Sequence, residues 1–109
     1  MPPTKRDNAR LERLLITCLT DACETAKSEI VGFQWLTHEA DFQALAQSLR
    51  VVWVFDTQAH REQALAAGQA ARMIELTAMA LAAADVAIAH PARHVYFDSE
   101  EECRARDRG

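Results

Sequence analysis

From Asp7 to Ile30 apolar residues return every three or four positions: Leu11, Leu14, Leu15, Cys18, Leu19, Ala22, Ala26 and Ile30. That spacing gathers them on one face of a helix, so residues 7–30 are predicted as a long amphipathic helix. Thr4 or Asp7 can cap its start, Pro2-Pro3 cannot extend it backwards, and Gly32 ends it. The period then changes. Over 33–38, "FQWLTH", Phe33, Trp35 and Thr37 alternate with Gln34, Leu36 and His38. This predicts a strand with Phe33 and Trp35 toward the core and Gln34 and Leu36 away from it. Residues 41–49, "DFQALAQSL", contain no Gly or Pro and read as a short helix capped by Asp41 or as an ordered loop. Residues 50–56, "RVVWVFD", are apolar on both faces and β-branched or aromatic, the pattern of a central strand.

Thr57 can cap a second long helix over 58–84, in which Gly68 marks a kink or a break. This helix has two apolar sides. Leu65, Met73, Leu76 and Met79 lie on one; Ala67, Ile74 and Leu81 lie roughly opposite. One side covers the sheet, and the stripe Ala67-Ile74-Leu81 meets either the first helix or another subunit. Beyond Pro91, "RHVYFD" at 93–98 alternates as a third strand, and the tail from Ser99 is a short helix or frayed.

The order is α-β-β-α-β. A strand–helix–strand crossover makes the second and third strands parallel with a right-handed connection, while the first strand is antiparallel to its neighbour. The fold class is therefore α+β: a two-layer sandwich in which a small mixed three-stranded sheet is covered on one face by two long helices. The 109 residues suit a single domain over 1–109, with 1–5 and 104–109 frayed. So small a core gains from dimerisation.

Composition mainly excludes. The net charge of −4 disfavours a protein that neutralises many phosphates. Cys18, Cys23 and Cys103 are odd in number and lack a CxxC, so reduced thiols in the cytoplasm are expected rather than a zinc site or a disulfide framework. The N-terminus has no signal-peptide core, and the most apolar window, 76–89, is too short to span a bilayer. GxSxG, P-loop and GxGxxG motifs do not occur. No catalytic residue, metal or cofactor is therefore assigned.

Two constellations can carry chemistry. His38, Asp56, His94 and Asp98 sit at or near strand ends. Parallel second and third strands bring Asp56 and Asp98 to one end, and an antiparallel first strand sends His38 to the other, nearer His94. Acid–base or metal chemistry would need them together; separately they are polar residues where chains turn into solvent. The second constellation is a nucleic-acid surface. Lys5, Arg6, Arg10 and Arg13 cluster at the start of the first helix, and the open sheet face would carry Gln34, Leu36, His38, His94 and Tyr96. Glu24 continues the same helix face with opposite charge, as a solvated face would. Trp35 and Trp53 read as core residues.

"GFQWLTH", "SLRVVWVFDT" and "RHVYFDSEEEC" together resemble a family of small bacterial proteins that carry the label "Fis family transcriptional regulator", from Lys5 to Cys103. The resemblance implies a DNA-binding regulator and brings no cofactor or catalytic residue. A Fis-type protein ends in a helix-turn-helix with a basic recognition helix. Here the last strand, "HVYFD", follows an alanine-rich helix whose middle holds one arginine, Arg72. The element order is also similar to a type II KH or ribosome-binding-factor-like domain, and Ala66-Ala67-Gly68 to the latter's Ala-x-Gly kink, without the GxxG loop of a KH domain. The expectation is a non-enzymatic domain that binds a protein or RNA partner as a homodimer, without membrane insertion. A DNA-binding regulator and a small metal-dependent or acid–base enzyme are the alternatives.

Overall fold

The structure is a computed structural model and describes residues 5–41 and 43–108. Its elements are α1 (Lys5–Lys27), β1 (Phe33–Glu39), the single turn α2 (Leu45–Ser48), β2 (Arg50–Phe55), α3 (Gln58–Ala66), α4 (Ala70–Ala83), a 3-10 turn at Pro91–His94, β3 (Val95–Ser99) and α5 (Glu100–Arg108). The fold is α+β, with helices packed on a three-stranded mixed sheet of order β1-β2-β3. β2 is central, antiparallel to β1 and parallel to β3.

The both-faces-apolar pattern of β2 explains its place. Val51, Trp53 and Phe55 point into the helix layer and are buried with Leu15, Leu19, Met73 and Leu81. Burying each large side chain of this kind contributes about 1.5–3 kcal/mol. The indole N–H of Trp53 would be costly to bury alone. It donates to Thr77 Oγ1 at 3.1 Å, and that hydroxyl donates in turn to the Met73 carbonyl at 2.8 Å.

Two boundaries differ from the periodicity, and a third, at Gly68, falls where expected. α1 stops at Lys27 rather than at Gly32. Turn hydrogen bonds from Ser28, Glu29 and Ile30 to Thr25 and Ala26 then fold Ile30 into the core. Gly32, at φ +84°, instead aims the chain into β1. The second long helix breaks at Gly68 (φ +81°). Gly68 N–H bonds the Leu65 carbonyl and Gln69 N–H the Ala64 carbonyl, a Schellman ending, before α4 begins. The second difference is that the strand after Pro91 begins at Val95 rather than at Arg93, so His94 lies in the 3-10 turn ahead of it.

The tail is helical through Arg108, and its acidic start has partners. Ser99 Oγ accepts from Glu102 N–H, Glu101 Oε1 accepts from Gln58 N–H at 2.7 Å at the start of α3, and Glu102 pairs with Arg61 at 2.6 Å. An acidic side chain at a helix N-terminus is stabilising, so these contacts lock α5 to α3.

Candidate functional site

β1 contains one residue too many for its partner. Phe33 lies opposite Phe55, but Trp35 lies opposite the very next residue of β2, Val54. The extra residue, Gln34, is a β-bulge, and it reverses which face every later side chain of β1 occupies. The expected alternation is therefore corrected beyond Phe33. Leu36 and His38 share the helix-side face with Trp53 and Val51, whereas Trp35, Thr37 and Glu39 join Val54, Val52 and Arg50 on the open face. Trp35 is 42% exposed and Trp53 fully buried, so only one of the two tryptophans is a core residue.

β3 completes the open face with Tyr96 and Asp98, opposite Val52 and Val54. α5 borders it with Glu102, Cys103 and Arg106, and the whole forms a groove of about 540 Å³. Trp35 and α5 flank Val54, which is only 2% exposed although it points away from the helix layer. Tyr96, 43% exposed, stands under the guanidinium of Arg50, which lies 4.7 Å from its ring centre and 3.7 Å from Glu39. Arg106 pairs with Asp98, and the Cys103 thiol lies 3.5 Å from the same carboxylate oxygen. Desolvation works to raise the Asp98 pKa. The Ser99 N–H, Arg106 and Cys103 outweigh it and hold the carboxyl below its ordinary value.

The other candidates are dispersed. His38 lies with Ile16, Leu19, Thr20, Cys23, Leu36 and Thr37 in a notch between α1 and β1, not on the open face with Tyr96. His94 serves the fold, because its Nδ1 donates to the Leu49 carbonyl at 2.8 Å and so ties the turn to the entry of β2. The strand directions put His38 and His94 near the end of the sheet opposite Asp56 and Asp98, as expected. Among the described residues no group of three or more His, Cys, Asp or Glu could hold a metal ion.

Asp56 does have a histidine partner, one that strand periodicity does not single out. His60 Nδ1 lies 2.7 Å from Asp56 Oδ1, and Thr57 Oγ1 accepts from His60 N–H to cap α3. The hydrogen bond from His60 is the main reason the Asp56 pKa is lowered, against desolvation and with help from Thr57 N–H. Asp56 N–H also bonds the Gly32 carbonyl at 2.9 Å. The pair borders neither the groove nor the notch, and it clamps the exits of β2 and of the α1–β1 turn together.

Arg10 and Arg13 are exposed on α1, in the helix layer and so across the sheet from Tyr96; the side chains of Lys5 and Arg6 lie outside the described residues. Among the described residues, Arg10, Arg13 and His38 therefore do not share a face with Tyr96. Arg72 is engaged by both Glu29 oxygens at 2.9 Å and by Glu75. Of the stripe Ala67-Ile74-Leu81, Leu81 is in the chain's own core, Ile74 packs partly against it, and Ala67 is exposed at the end of α3. The break at Gly68 resets the helical phase, so the three do not share a face. No helix among the described residues is long and apolar enough to cross a membrane. Comparison of the chain with protein-family models, with curated proteins and with solved structures finds no match to any of them.

Proposed function

We infer that the chain is a non-enzymatic binding module whose open sheet face takes up a segment of another protein. The observation that carries this is the pair of exposed rings, Trp35 and Tyr96, set around Val52 in one groove whose cations are already engaged. Exposed Trp, Tyr and Arg around an apolar floor are the composition of binding hot spots. The groove holds Arg50 and Arg106 against Glu39, Asp98 and Glu102, two positive charges to three negative. Base stacking on a sheet works with cations that neutralise the phosphates. This charge balance favours a protein partner over RNA.

The test is selection of a displayed random-peptide library on the purified protein, followed by titration of the winning peptides. Trp35→Ala and Tyr96→Ala are expected to weaken them at least about tenfold, the scale of a hot-spot truncation. Peptides that bind both variants as well as the wild type would overturn the reading. Salt-dependent binding of single-stranded RNA, abolished by the same substitutions, would replace the protein partner with RNA.

A second reading rests on Arg10 and Arg13, exposed on α1 without an ion pair among the described residues. They favour the DNA-binding regulator that the resemblance implies. A gel shift at low salt decides it: no retardation disposes of that reading.

A further inference from the structure

The free edge of β1 and the flank of α1 beside it form a second surface, separate from the groove. β1 is at the sheet margin with β2 as its neighbour. Its outer N–H and C=O groups therefore have no strand partner among the described residues, and natural proteins rarely leave such an edge unguarded. The regular part beyond the bulge, Trp35–Glu39, has neither Lys nor Pro. The notch between α1 and β1 is about 150 Å³, and Ile16, which lines it, is 45% exposed. At about 3.6 residues per turn, Glu12, Arg13, Glu24 and Lys27 fall on the same flank as Ile16, Thr20 and Cys23. An apolar centre is thus bracketed by one acid–base pair at each end, in the same acid-then-base order along the helix. Laid antiparallel on itself, such a flank matches charge with opposite charge.

We propose that this surface binds a second copy of the chain, β1 pairing antiparallel with the other β1 about a two-fold axis through Thr37. Thr37 then faces its own copy, Leu36 faces His38, and Trp35 faces Glu39. Ile16 and Cys23 line the notch at the level of Leu36 to His38, so the same axis packs Ile16 of one copy against Cys23 of the other. Arg13 reaches Glu24 and Glu12 reaches Lys27 across the axis. Strands pair about 4.8 Å apart and helices about 8–10 Å apart. The contact is isologous and closes at two copies. It joins two three-stranded sheets into one and sets the two grooves side by side.

The experiment is light scattering across a concentration series, with hydrogen exchange of the β1 amides. Wild type is expected to be a dimer with slow exchange along Trp35–Glu39. Ile16→Glu is expected to raise the dimer Kd at least tenfold and to speed that exchange. Arg13→Glu and Glu24→Arg should each weaken the dimer, and the double reversal should restore it. A monomer up to about 1 mM, the weak limit of specific association, overturns the proposal. So does a dimer indifferent to Ile16→Glu, or a double reversal no better than either single. Circular dichroism checks the fold of Ile16→Glu, and the charge reversals stand as the test if it misfolds. Tyr96→Ala, on β3 and away from the β1 edge, should lose peptide but keep the dimer mass, so this proposal and the open-face reading fail separately.

Discussion

The imidazole of His60 occupies the space that a side chain on Gly32 would need. A Cβ added at Gly32 would lie 2.5 Å from His60 Cβ, and the backbone there is at φ +84°. Gly68 has nearly the same φ, +81°, but a Cβ there would meet nothing within 4 Å. The two glycines therefore separate backbone strain from steric exclusion.

Gly68→Ala is expected to cost about 1 kcal/mol, the left-handed penalty for a residue with a Cβ. Gly32→Ala adds overpacking and should cost about 2–4 kcal/mol. Urea midpoints of the two variants check the order. Adding His60→Ala should rescue Gly32→Ala only in part, because it removes the ring contacts at 2.6 and 2.7 Å but keeps the one with His60 Cβ at 2.5 Å.

Thr77→Val keeps the shape of a fully buried side chain but removes the acceptor for the Trp53 indole N–H. The stranded donor should cost about 1–3 kcal/mol, read as a lower urea midpoint at unchanged slope. Iodide is expected to quench Trp35 and spare Trp53. Trp35→Phe should abolish the quenchable emission with little change in stability.

Acid should unfold the protein through carboxylates held below their ordinary pKa: Asp56 by His60, Glu29 by Arg72, and Asp98 by Ser99 N–H and Arg106 against desolvation. Each has a lower pKa folded than unfolded, so the folded chain binds fewer protons. Their stabilisation is complete above the unfolded value of about 4 and fades as pH falls through the folded values. Asp56→Asn and Asp98→Asn should each flatten that acid limb. Thermal midpoints from pH 7 down to pH 2 provide the measurement.

The sequence pattern carried the architecture further than it carried the face of binding. β2 was legible because a run apolar on both sides has a place only in the middle of a covered sheet, and Gly68 because a helix seldom passes a glycine undisturbed. The opposite ends taken by His38 and Asp56 followed from strand direction. The bulge at Gln34 did not follow, since an extra residue is a choice made by two paired strands and one strand's alternation cannot reveal it. It moved Trp35 out of the core and His38 off the open face. His60 was missed because a histidine three residues after a capping threonine looks like any solvated helix position. Its signal was the Asp56 spacing of four, which suits contact across a helix start. The capping of α5 was also written in Ser99-x-x-Glu102, inside what read as a run of charge.

The parallel partner of β2 lies far along the chain: Val51 pairs with Val95. On a ribosome, β2 emerges with β1 able to join it at once, while β3 must wait for the whole of α3 and α4. During that interval the strand richest in Val, Trp and Phe has one margin open. Long-range parallel pairing is slow for this reason, and a nascent chain with such an open margin is prone to stick to its neighbours. Slowing translation after β2 should therefore reduce the soluble yield, and slowing it after β3 should not.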